Sequence, residues 1–169
     1  MAIKMKEEAI LNEWAMVLDH ASGNVQVLLD DIQRRLLESK IPGGCTWDMR
    51  KVKSRGLFSK VKREFLLVRL REFNDYRVYI GIRDYGIHLD CCRFLTLEPG
   101  FFKKWFARKL FESEKALSQP NNILIAQDLR AWTTVVHHAV VDSVEGLMNK
   151  LGKNPNLLQR GSKGFLEIW

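Results

Sequence analysis

Between residues 64 and 97, aliphatic side chains alternate with arginines, rings and other polar groups over successive short runs. A period of two places alternate side chains on opposite sides of a strand, whereas a helix would scatter them around its axis. Three segments carry the strand pattern: residues 46–54, 64–72 and 76–97, the last broken at Asp84-Tyr85-Gly86. Their supply of Val, Ile, Tyr and Phe agrees with strand over helix. An odd loop at Phe73-Asn74-Asp75 puts Leu66, Val68 and Leu70 on one face with Val78, Ile80 and Ile82; an even loop would turn the arginines inward. A two-residue turn at Tyr85-Gly86 carries that face on to Leu89, Cys91 and Leu95, with Arg93 the one misfit. The other face then holds Phe65, Leu67, Arg69, Arg71, Arg77, Tyr79, Arg83, His88, Asp90, Cys92 and Phe94.

Helical spacing flanks this block. Across residues 6–38 the apolar positions Ile10, Leu11, Trp14, Val17, Leu18, Val25, Leu28, Leu29, Ile32 and Leu36 predict two consecutive helices, or one long helix weakened at Ser22-Gly23-Asn24. Pro42-Gly43-Gly44 stops them. Pro99-Gly100 opens a short helix over residues 101–111, striped by Phe102, Trp105, Phe106, Leu110 and Phe111. A long helix over about residues 125–151 follows, with Leu129, Trp132, Val136, Val140 and Leu147 on one stripe. The expected fold is α+β: an antiparallel three- or four-stranded meander packed with one or two N-terminal helices and two C-terminal helices. Residues 1–169 are expected to form one domain, with a flexible 153–164 segment before a C-terminal edge strand at 165–169.

Charge narrows the partners. The chain carries 27 Lys and Arg against 20 Asp and Glu, a formal net charge of +7 that favours polyanions by long-range attraction. Cys45, Cys91 and Cys92 form no CxxC pair, and neighbours on a strand point apart, so reduced thiols and a cytoplasmic location are expected. The first residues lack the apolar core of a signal peptide, and no run of eighteen apolar residues occurs, so a membrane partner is not expected.

The principal candidate site is the polar sheet face with the basic run before it. Guanidinium groups fork onto phosphates and aromatic rings stack on bases, so Arg69, Arg71, Arg77, Tyr79 and Arg83, joined by Arg50, Lys51, Lys53, Arg55, Lys60, Lys62 and Arg63, suit nucleic acid or another polyanion. No RNP sequence, helix-turn-helix or zinc-finger spacing accompanies them. The expectation is a noncatalytic binding module. An alternative is a structural or regulatory protein-interaction module, a homodimer included, using Phe102, Trp105 and Trp169.

Enzyme chemistry ranks third. His138 and Asp142 stand four apart on a helix and could share a metal ion with His20, but no HExxH or paired Glu-x-x-His pattern supplies further ligands. His88 and Cys92 sit roughly 13 Å apart along one strand, too far for a proton relay. Nucleophile elbows and phosphate or dinucleotide loops are missing from the sequence, and no cofactor is expected.

Overall fold

The computed structural model describes residues 3–4, 9–53, 62–73, 75–97 and 123–164. Two strands, β1 (Ile3–Lys4) and β2 (Ala9–Leu18), precede helix α1 (Val25–Glu38). Strands β3 (Cys45–Lys53), β4 (Lys62–Leu70), β5 (Tyr76–Tyr85) and β6 (His88–Leu97) follow, then helix α2 (Ile123–Lys150) and the short β7 (Lys163–Gly164). The fold is α+β. Its sheet runs β1-β3-β4-β5-β6-β2-β7, antiparallel at every described pairing except β1 on β3. The helix expected at 101–111 and the edge strand expected at 165–169 lie outside the described residues.

The apolar face predicted from alternation is the face that packs. Leu66 pairs with Ile80 and Val68 with Val78, while Ile82 pairs with Cys91, and all enter one buried cluster with both helices. The β5–β6 turn sits at Gly86 and Ile87, one residue later than expected, so partners slide by two positions and every side chain keeps its face. Gly86 adopts φ 63° there, a conformation that a Cβ disfavours.

The N-terminal expectation is corrected. Residues 9–18 form a strand, not a helix, and one N-terminal helix remains. Ile10, Trp14 and Leu18 recur every four residues, a spacing that keeps one face in a helix and equally one face in a strand. Pairing along β6 decides between them, because β6 would otherwise present an unpaired edge. A bulge between Ile10 and Asn12 shifts the register, after which Asn12, Trp14 and Leu18 point inward, with Glu13, Ala15 and Val17 exposed. Ser22-Gly23-Asn24 is the boundary between strand and helix. It docks on the β5–β6 hairpin through Ser22 N to Ile87 O at 3.2 Å and Gly23 N to Asp84 Oδ1 at 2.9 Å.

Chain length also forces curvature. β1 and β2 lie five strand spacings apart in the sheet order, about 24 Å if the sheet were flat. The five peptide steps from Lys4 to Ala9 reach at most about 18 Å, so the sheet curls and its margins approach. On the other face α1 and α2 pack together. Leu28, Leu29, Ile32 and Leu36 meet the buried stripe of Leu129, Trp132, Val136, Val140 and Leu147 over the sheet. No described helix is long and apolar enough to cross a membrane.

The 153–164 segment contacts both the core and the sheet. Leu158 enters the core, Trp14 Nε1 donates to Gln159 O at 2.6 Å, and Lys163–Gly164 pairs with Asn12 and Glu13. Gly164 lies so close to β2 that a Cβ would meet Leu11 O at 2.5 Å.

A paired substitution on α1 tests this packing. Ile32→Ala, at 0 % exposure, should lower unfolding free energy by about 2–5 kcal/mol, while Leu37→Ala, at 65 %, should stay within about 0.5 kcal/mol. Urea denaturation of both variants measures the difference, and equal losses would contradict the assignment of faces.

Candidate polyanion-binding surface

Reading across the strands on the face opposite the helices, side chains fall in rungs two residues apart. One rung joins Thr46 to Arg69, and extending the β4–β5 register by one step sets Arg69 beside Arg77, which pairs in turn with Thr96. The next contains Asp48, Leu67, Tyr79 and Phe94. A third holds Arg50 with Phe65 and Gly81 with Cys92, and a fourth Val52 with Arg63 and Arg83 with Asp90.

The centre of this face is closed. Val52, Phe65, Leu67 and Tyr79 form a second buried cluster, and the Phe65 and Tyr79 rings meet edge-on with centroids 6.1 Å apart. Tyr79 is 0 % exposed and presents no ring face for a base to stack on. Alternation assigned its side correctly, but burial removes it from any accessible surface.

The cations surround that apolar centre. Asp48 lies between two of them: its Oδ2 is 2.5 Å from Arg50 Nη2 and its Oδ1 is 3.6 Å from Arg69 Nη2. These are the reachable neighbours of Asp48, Arg50 two residues along the same strand and Arg69 diagonal to it on the next. All three side chains are half-exposed, and Arg77 is half-buried beside them. Arg83 Nε donates to Asp90 Oδ2 at 2.7 Å, with its guanidinium 5.1 Å over the Tyr85 ring. Lys51 pairs with Glu64 at 3.2 Å on the helix-facing side of the sheet. Arg63 is exposed, and so is Arg71 in the single 3-10 turn after β4. Lys53 and Lys62 are partners at the far end of the β3–β4 ladder, whereas Arg55 and Lys60 lie outside the described residues. The structure thus brings Arg50 and Arg69 together at Asp48, with Arg77 on the strand next to Arg69 and with Arg63 and Arg83 on the rung beyond Arg50.

The metal and nucleophile candidates disperse. His20 occupies the turn after β2 at φ 49°, not a helix, and its ring lies 6.0 Å from that of His88, whose Nδ1 is 3.0 Å from Asp19 Oδ1. His138 is exposed on α2, and Asp142 accepts from Arg160 Nη1 at 3.0 Å. Among the described residues no three His, Cys, Asp or Glu side chains gather to hold a metal ion. Burial pushes the Cys91 thiol up to about 12 and the Cys92 thiol up to about 11, far from nucleophilic thiolates at neutral pH.

A buried polar cluster under the C-terminal segment is the feature that alternation marked only as a misfit. Arg93 is fully buried, donates from Nη2 to Asn12 Oδ1, and meets no carboxylate among the described residues. Asn12 Nδ2 donates onward to Ser162 Oγ at 3.0 Å. Burial lowers the Arg93 guanidinium to about 10, which leaves it charged at neutral pH. His137 Nε2 donates to Arg160 O at 2.6 Å, which fixes the neutral tautomer with a bare Nδ1. Arg160 itself clamps Asp142 and Glu145.

No family model, curated protein or solved structure matches this chain.

The cluster has a pH signature. Burial, with Arg93 nearby, lowers His137 from 6.5 to about 4, so the unfolded chain binds the extra proton first as pH falls. Stability should be full above about pH 6.5 and should drop by about 3 kcal/mol as pH falls to 4. His137→Gln should be less stable at pH 7 yet lose less over that window. Urea unfolding at pH 7, 5.5 and 4.5 reads the contrast, and parallel pH curves for the two proteins would contradict it.

Proposed function

We propose that this chain is a noncatalytic binding module for nucleic acid or another polyanion. The contact surface is the end of the sheet formed by β3, β4 and β5, where Arg50 and Arg69 converge on the carboxylate of Asp48. The convergence of Arg50 and Arg69 on the one carboxylate of Asp48 is the observation that carries this reading, since one carboxylate shared by two guanidinium groups leaves positive charge for an incoming phosphate. Asp48 neutralises only part of that charge. Exposed ion pairs of this kind contribute little, so exchanging a carboxylate for a ligand phosphate has a small energetic penalty.

With Tyr79 buried, recognition rests on backbone phosphates and not on base stacking, which makes binding tolerant of sequence. Arg63 and Arg71 extend the positive surface along β4 and past its end.

A second reading, a protein-interaction module, draws on Val17, Tyr85 and Ile87, all exposed at one end of the sheet. Phe102, Trp105 and Trp169 lie outside the described residues and add nothing to it. Solution mass distinguishes a homodimer from a monomer.

Polyanion binding is tested by titrating a fluorescent single-stranded oligonucleotide at 50 and 200 mM salt. Three phosphate contacts imply a loss of affinity of roughly 20-fold between those conditions. The double variant Arg69→Ala, Arg77→Ala should flatten that slope. Absence of binding by the unaltered protein at low salt would overturn the proposal.

A further inference from the structure

We propose that Asp48 is an internal stand-in for a phosphate group, occupying an oxyanion site that a ligand phosphate takes over on binding. This rests on the polyanion reading above and adds to it a defined seat and a competing group. Asp48 is contacted from two strands at once, at 2.5 Å by Arg50 and at 3.6 Å by Arg69. Its Oδ1, together with Arg50 Nε and Arg69 Nε, is shielded from water and makes no hydrogen bond. The pairing is therefore incomplete on both sides: one acceptor and two donors are buried without the directed bonds that buried polar atoms normally find.

Geometry explains the shortfall. A carboxylate has two oxygens in one plane and accepts one guanidinium fork well; here it is stretched between two forks on neighbouring strands. A phosphate offers oxygens in a tetrahedral arrangement and can accept from both forks together, with Arg77 adding charge alongside. The buried side chains of Leu67 and Phe65, opposite Asp48 and Arg50 in the ladder, form the apolar floor of the site. Asp48 then acts as a gatekeeper. It keeps the guanidinium pair from trapping small anions in the resting protein and limits binding to ligands that bring several phosphates.

Asp48→Asn separates this from a general charge effect. It should raise affinity for a single-stranded oligonucleotide by about fivefold, the fold-change equivalent of one exposed ion pair released. Inorganic phosphate, titrated separately, should gain by a similar factor if the seat takes a lone phosphate group, and an oligonucleotide gain without it places the ligand's source in the strand. Glu64→Gln makes the same charge change on the opposite face of the sheet and should alter affinity less than twofold. Arg69→Gln added to Asp48→Asn should abolish the gain, and melting temperatures of all variants confirm folding. Equal effects of Asp48→Asn and Glu64→Gln, or weaker binding by Asp48→Asn in a folded protein, would overturn the inference while leaving the polyanion reading intact. Failure of the unaltered protein to bind any oligonucleotide would remove both.

Discussion

The two-residue period of the β3–β6 meander, held in register from Cys45 to Leu97, governs the rest of the molecule. It turns Leu66, Val68, Val78, Ile80, Leu89, Cys91 and Leu95 toward α1 and α2, and by the same geometry turns Arg69, Arg77 and Arg83 the other way. Burial of the first set fixes the register, because a slip of one residue would drive several guanidinium groups into the helix-packed core. The positive surface is thus a consequence of the hydrophobic effect acting on the opposite side. Neither set can move without the other.

Arg93 departs from this rule and shows how the margin of the sheet is finished. It points to the helix side, where its charge is solvated by the Asn12 carbonyl alone among the described residues. Asn12 comes from β2 and passes the connection to Ser162, so three distant segments converge on one buried cation. Trp14 and His137 hold the backbone of the same C-terminal segment through bonds to Gln159 and Arg160. A buried polar network of this kind adds little net stability, yet it specifies which segment covers β2.

Much of the meander was legible in the sequence because strand parity is robust: the β4–β5 and β5–β6 registers each differ from expectation by an even step, which leaves faces unchanged. The strand at residues 9–18 was not legible, since Ile10, Trp14 and Leu18 satisfy helix and strand alike and only pairing with β6 distinguishes them. Alternation placed Tyr79 on the arginine face but carried no information about coverage, which depends on residues far away in the chain. The meeting of Arg50 with Arg69 was likewise hidden, because it depends on the β3–β4 register. The place of Asp48 is hidden for the same reason: a single acidic residue in a basic run gains meaning only from its diagonal neighbour.

The proposed function reduces to whether two particular guanidinium groups on the sheet meet phosphate. Their Nε–Hε resonances can be followed directly in a nitrogen-15 labelled protein during titration with a single-stranded oligonucleotide, with assignments from Arg→Lys variants. Saturable shifts are expected at Arg50 and Arg69, with Arg93 and Arg160 unmoved in their own buried or paired settings. Shifts confined to other arginines, or none at Arg50 and Arg69 when the oligonucleotide is bound, would contradict the proposed function.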